Sequence, residues 1–254
     1  MRPAKFVSLI VSGALAALVM AAPLAVAHNE IKIPVGHYYP FFKPRDAAPA
    51  LIEAFWLDAA PVSRGQFREF VRTHPAWRVS KIKPLFAEST YLADWRGDLD
   101  PGAASLDDPV THVSWFAARA YCAAQGKRLP TVAEWERIGG AGVSTPVPAR
   151  GVSDGQPHSA TPFQFAMGRP AADLADEDLL KFGRIWEWNA DFNSAVISND
   201  SDDVQTPSSL FCGGGVRSIN GADYAAFLRY SLRSSLRASY ALRSLGFRCS
   251  RSAR

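Results

Sequence analysis

Between Pro109 and Gly140 the chain reads PVTHVSWFAARAYCAAQGKRLPTVAEWERIGG, and this stretch confines the fold more than any other. Ser114 is placed to cap a first helix, its alanines favour that helix, and Gly126 ends it. Trp115, Ala118, Tyr121, Cys122 and Gln125 share a face, which turns Cys122 inward. Thr131 then caps a second helix, with Glu134 three residues on to close a capping box, and Gly139 and Gly140 stop it after about Ile138. Helices this short, standing among many turn residues, predict an α+β fold with little regular secondary structure.

The rest of the chain agrees. VSRGQFREFVRTHP predicts another helix capped by Ser63 and Gln66, with Phe67, Phe70, Val71 and a partly buried core His74 on one face, stopped by Pro75. EIKIPVGHYYPFF predicts a strand at Ile31 to Val35, broken by Gly36. KPLFAESTYLADWRGDLDPGAASLDDP has aromatic anchors but no sustained period, so it reads as loop. Ala141 to Ala172 reads as irregular but ordered by its neighbours. FCGGGVRS is a Gly-rich turn, and SLGFRCSR ends the chain as a short strand. Arg229, Arg233 and Arg237 recur every four residues, which places them on one side whether the segment is helical or extended.

The opening MRPAKFVSLIVSGALAALVMAAPLAVAHNE has basic residues, then a charge-free apolar run, then AVA ending at Ala27, which is the layout of a secretory signal peptide over residues 1–27. An uncleaved membrane anchor is the competing reading. No second stretch is long and apolar enough to cross a bilayer, so residues 28–254 are expected to form one domain without membrane contact, in the periplasm or secreted. Cleavage leaves 26 basic against 24 acidic residues, a balance that argues against nucleic acid as a partner. The charge is unevenly spread: Phe211 to Arg254 holds eight Arg, no Lys and one acid, while His28 to Leu210 holds 18 bases and 23 acids. The two parts are electrically complementary, and Arg's planar fork suits bidentate pairing with carboxylates in a folded interior. Three cysteines, Cys122, Cys212 and Cys249, allow one disulfide and one leftover thiol in an oxidising compartment, and spacing alone leaves all three pairings open.

Taken in order, PVTHVSWFAARAYCAAQGKRLPTVAEWERIGG, GRIWEWNADF, CGGG and RSSLRASYALRSLGFRC resemble the formylglycine-generating enzyme, or sulfatase-modifying-factor, family. Pyoverdine-maturation and ergothioneine-synthesis proteins share this domain, and nitrite-reductase accessory proteins resemble it. The resemblance runs from about Ile31 to Cys249 and implies a compact domain related to the C-type lectin fold, with a groove for an extended ligand. It makes the RLPTVAEWE cluster structural: Thr131 and Glu134 serve helix-end amides, Arg128 pairs with a carboxylate, and Trp135 fills core. It also selects a disulfide between Cys122 and Cys249. A second family disulfide loses both halves, at Gly139 and Tyr230.

The resemblance departs where the chemistry lies. The family's two copper(I)-binding cysteines align with Asn220 and Ala225, so the soft thiolate pair is missing and formylglycine formation by that route is not expected. Nor does the chain carry the helical domain with paired histidines that a three-histidine iron site requires. Whether a redox metal, copper or iron, enters by other ligands is not fixed by sequence. Cys212, near Arg217, is the candidate reactive thiol, its alternative being a small buried hydrophobe beside Phe211. Arg233 aligns with a groove arginine and is the second candidate catalytic residue. Arg229, Arg233 and Arg237 are candidates to bind an anionic group, with ion pairing to the acidic body as the alternative. GRIWEW resembles a calcium loop, which implies calcium on Glu187 with the carbonyls of Gly183 and Ile185, although an expected upstream asparagine is Leu180. Cleavage after Ala27 would also expose His28, whose amine and imidazole can chelate copper(II).

Two functions are therefore expected. The first is an exported oxidative or maturation factor acting on a periplasmic peptide, protein or metabolite, an oxidoreductase of a kind other than the true formylglycine-generating oxidase. The second is a non-catalytic binding or assembly module, such as an accessory factor for a periplasmic metalloenzyme.

Overall fold

The computed structural model describes residues 29–38, 49–139, 185–193 and 221–253. The expected leader, the Ala141 to Ala172 passage and the CGGG turn lie outside them. The described elements are β1 (Glu30–Ile33), β2 (Gly36–Tyr38), β3 (Ala50–Ile52), β4 (Phe55–Asp58), α1 (Arg64–Thr73), a 3-10 turn (Pro75–Trp77), α2 (Trp115–Ala124), α3 (Val132–Gly139), β5 (Trp186–Glu187), α4 (Gly221–Ser235), β6 (Leu245–Gly246) and β7 (Ser250–Ser252). Mixed, short elements of this kind make an α+β fold.

The strands form small sheets. β4 lies between β1 and β7, both antiparallel, with Leu57 opposite Ile31 on one side and Ser250 on the other. β2 pairs antiparallel with β3, and β5 pairs parallel with β6, Trp186 opposite Leu245. The last residues of the chain thus close onto strands from its beginning. Asp58 completes the join, since its N–H donates to the Cys249 carbonyl at 3.0 Å and its carboxylate accepts from the Cys249 N–H at 3.1 Å.

The helix starts follow local chemistry. Ser63 and Gln66 form a reciprocal capping box at α1, and Ser114 accepts from the Ala117 N–H at α2. α2 ends where Gly126 takes φ +67°, a conformation that favours glycine. The inner faces of α1 and α2 meet in an aromatic cluster: Phe67 stacks on Tyr121 at 6.0 Å, and Phe247 meets both rings edge-on. Between the 3-10 turn and α2 the chain runs without regular structure. It is held instead by bonds to the C-terminal segment, such as Glu88 N–H to the Ser239 carbonyl and His112 N–H to the Leu242 carbonyl.

Three expectations need correction. Gly36 does not merely break a strand but starts β2, because the chain turns at 34–35 and returns against β3. A Cβ at Gly36 would meet the guanidinium end of Arg137, so a larger residue here would have to displace that side chain from the hairpin. His74 is exposed rather than in the core: it sits past the end of α1, stacked on Phe70 at 4.7 Å. Gln125 likewise points outward from α2.

Candidate functional site

The helix α3 carries two acids, Glu134 and Glu136, and positions two apart on a helix face different ways. Glu134 turns back on the helix start. It accepts from the Thr131 N–H at 2.9 Å, Thr131 accepts from the Glu134 N–H at 3.1 Å, and Arg128 grips both Glu134 oxygens at 2.6 Å. The cluster is therefore a capping box braced by a guanidinium. Trp135 beside it is buried.

Glu136 points the other way, into α4. Arg229, 2% exposed, donates from Nε and Nη2 to its oxygens at 2.8 to 3.0 Å, and Arg233 adds Nη2 at 2.5 Å. Burial alone would raise the Glu136 carboxyl pKa, but the two guanidiniums outweigh it and hold the carboxyl below its ordinary value. Arg229 and Arg233 come together because they lie four apart on one helix. Arg237 does not join them. α4 has ended at Ser235, and Arg237 is exposed with its guanidinium 5.8 Å from the Tyr240 ring. The three-arginine row is thus a pair and an outlier. Arg233 is the outer member of the pair, and its Nε and Nη1 have no acceptor among the described residues.

Glu187 opens a second buried ion pair. Arg248 donates Nε and Nη2 to its two oxygens, each at 2.7 Å, and Nη1 reaches the carbonyls of Asp58 and Ala59 at 3.2 and 3.3 Å. Neither side chain has meaningful solvent exposure. A calcium ion at Glu187 would sit against this buried positive charge on a carboxylate whose oxygens are both taken, so the described donors do not fit it. Ile185 is buried just before β5, and Gly183 lies outside the described residues. No group of three or more His, Cys, Asp or Glu side chains able to hold a metal occurs among the described residues.

The cysteines divide. Cys122 and Cys249 are bonded, both fully buried, with Cα atoms 5.6 Å apart. Cys212, Arg217 and Asn220 lie outside the described residues, and so does His28. Ala225 falls within α4, so the segment that aligns with the copper-binding cysteines continues into the helix that places Arg229 and Arg233.

Residues 16–164, more than half of the chain, match the sulfatase-modifying factor enzyme 1-like domain. The chain belongs to this family. Among its relatives is the inactive C-alpha-formylglycine-generating enzyme 2 of Bos taurus, 30% identical over 184 residues that cover 55% of this chain and 60% of that protein. Another is the hercynine oxygenase of Mycobacterium tuberculosis, 28% identical over 213 residues, covering 72% of this chain and 49% of that one. The matched part is thus less than two thirds of either relative's own length. The solved structure of PvdO from Pseudomonas aeruginosa superposes over 88% of this chain and 94% of that one, with 14% identity and a TM-score of 0.45.

Two buried ion-pair partnerships escaped sequence reasoning. Glu136 as the seat of Arg229 and Arg233 was hinted at by the acidic body facing an arginine-rich tail, but charge totals do not name partners. Glu187 with Arg248 joins two motifs, GRIWEW and GFRC, each visible alone.

Proposed function

We propose that this family member is an exported oxidative or maturation factor that acts on a periplasmic peptide, protein or metabolite without a two-thiolate copper site. The observation that carries the reading is the state of Arg233: one nitrogen is fixed on buried Glu136, while Nε and Nη1 have no acceptor among the described residues. A preorganised guanidinium with unspent donors is suited to hold an anionic group of a substrate. Cys212 is the thiol that remains for chemistry, since the other two are joined. Asn220 and Ala225 offer no thiolate, so a copper(I) pair of the family type does not fit, and any redox metal would need other ligands.

A second reading, a non-catalytic binding or assembly module for a periplasmic metalloenzyme, is favoured by one finding: relatives from Bos taurus and Mus musculus are called inactive formylglycine-generating enzymes. Elemental analysis with thiol counting, on protein purified from the periplasm, separates the two. Stoichiometric iron or copper that is lost in Cys212→Ser supports the maturation enzyme. Metal-free protein whose Cys212→Ser variant retains full partner affinity supports the module. Recovery of the chain only from the cytoplasm, with the first 27 residues attached, overturns export.

A further inference from the structure

The start of α2 carries a pocket of about 380 Å³ whose lining, Trp115, Arg119, Arg128, Leu129 and Ala190, does not include Arg233. Its volume falls within the range of small-ligand sites. Its walls are fixed rather than loose. The Trp115 indole donates to the Asn189 carbonyl at 2.9 Å, and Ala190 donates its N–H to the Pro130 carbonyl at 2.8 Å. Arg119, one helical turn beyond Trp115, sets its guanidinium 5.3 Å from the indole centroid, a cation–π arrangement that orients the planar fork.

The hydrogen-bonding capacity of the site is lopsided. The nearby acids are already engaged: Glu134 by Arg128 and the Thr131 N–H, and Asp191 by the Val132 N–H at 2.7 Å. The main donor is not. Exposed Arg119 has no acidic partner or acceptor among the described residues, whereas Arg128 commits its Nη groups to Glu134, the Leu129 carbonyl and the Ser250 hydroxyl and keeps only its Nε–H without an acceptor among them. An indole and Leu129 provide apolar contact beside these donors. A neutral polar ligand would leave the charge of Arg119 unanswered, and a cation would be repelled.

We propose that this pocket binds a carboxylate attached to an aromatic or large apolar group, with the carboxylate on Arg119 and the apolar group against Trp115 and Leu129. The carboxylate can come from a small organic acid or from the C-terminus of a peptide. Both present the same chemistry, and the experiment tells them apart.

The test follows the Trp115 resonance of 5-fluorotryptophan-labelled protein, assigned with Trp115→Phe, during titration with N-acetylphenylalanine, its amide, and a tripeptide ending in phenylalanine with a free or amidated C-terminus. Saturable shifts are expected with the free acids and not with the amides, weakened about tenfold or more by Arg119→Gln and less by Arg119→Lys. Binding by the small acid alone identifies a metabolite site, and tighter binding by the free tripeptide identifies a peptide terminus. Equal binding of acids and amides, no Trp115 shift up to about 10 mM, or an unchanged affinity in a folded Arg119→Gln overturns the proposal. Cys212 and Arg233 play no part in the readout, so the outcome is independent of the proposed catalytic role.

Discussion

Two buried ties join distant parts of the molecule, one of sulfur and one of charge. Cys122–Cys249 spans 127 residues and joins α2 to the last strand region beside the packed rings of Phe67, Tyr121 and Phe247. Glu136 spans 93 and 97 residues to Arg229 and Arg233 and joins α3 to α4. Both ties are buried and both link distant parts of the chain, yet they respond to different conditions. The covalent tie ignores protons and yields to reductant. The ionic tie ignores reductant, and its worth depends on every partner being present, because a buried charge left alone costs more than the pair contributes.

The largest effect expected is at the sulfur tie. Closing a loop of 127 residues is worth about 5 kcal/mol in the chain-entropy picture, and measured values commonly fall to between about 2 and 5 kcal/mol. Urea unfolding with and without a phosphine reductant, or of Cys122→Ala/Cys249→Ala, should show that loss. Hydrogen exchange at Arg229 and Arg233 should remain slow until the molecule unfolds globally. Loss of that protection on reduction alone, while the protein is still folded, would show that the ionic tie depends on the sulfur tie and dissolve the comparison.

At the ionic tie, Glu136→Ala is expected to cost about 3 to 5 kcal/mol, since it removes the carboxylate that two guanidiniums share, one of them buried. The triple variant Glu136→Ala/Arg229→Met/Arg233→Met should recover most of that loss. Strict additivity of the three changes would mean that the residues act separately and not as a buried triad.

Acid should act on carboxylates beside both ties, Glu30 with Lys127 and Arg251 near the disulfide and Glu136 at the ionic tie. Glu30 on β1 is lowered to about 2, first by the hydrogen bond from Arg251 and, against burial that raises it, by Lys127. Glu136 is lowered as well, its two arginines outweighing burial. Carboxyls with depressed values stabilise the fold fully above their ordinary value of 4.5 and lose that contribution as pH falls towards 2. Thermal melts of the oxidised protein should therefore decline below about pH 4.5, Glu30→Gln removing about 1 to 2 kcal/mol of the dependence after screening is discounted. The disulfide supplies none of this slope. A flat profile between pH 5 and 2 contradicts the assignment.

What could be read from sequence follows the same division. Local signals were plain: Ser63 with Gln66, Ser114 before its alanines, and Thr131 with Glu134 are made by residues three apart, and all three caps are present. The family resemblance supplied the partner of Cys122. Spacing of four brought Arg229 and Arg233 together, because both lie within α4, and failed at Arg237, because nothing in LRSSLR marks the helix end at Ser235. The β2–β3 pair was missed since three-residue strands carry almost no periodicity, and Gly36, read as a breaker, instead starts β2 with the Arg137 guanidinium against it. Glu136 and Glu187 found partners far along the chain, which composition could foreshadow but not name.

The smallest effects lie at the start of α3. Thr131→Ala removes the acceptor for the Glu134 N–H and should cost about 1 kcal/mol, leaving the pocket at Trp115 unchanged. Glu134→Ala removes the reciprocal cap bond and also the partner of Arg128, whose side chain is 40% exposed, so the ion pair itself adds no more than about 1 kcal/mol. The two variants should then diverge in binding although they resemble each other in stability. Freed from Glu134, Arg128 can offer Nη2 and Nε to the pocket while Nη1 keeps the Leu129 carbonyl and the Ser250 hydroxyl, and N-acetylphenylalanine should bind several-fold more tightly to Glu134→Ala than to Thr131→Ala. Weaker binding in Glu134→Ala would instead show that the acid holds Arg128 in the geometry that the pocket needs, making the cap and the pocket a single device.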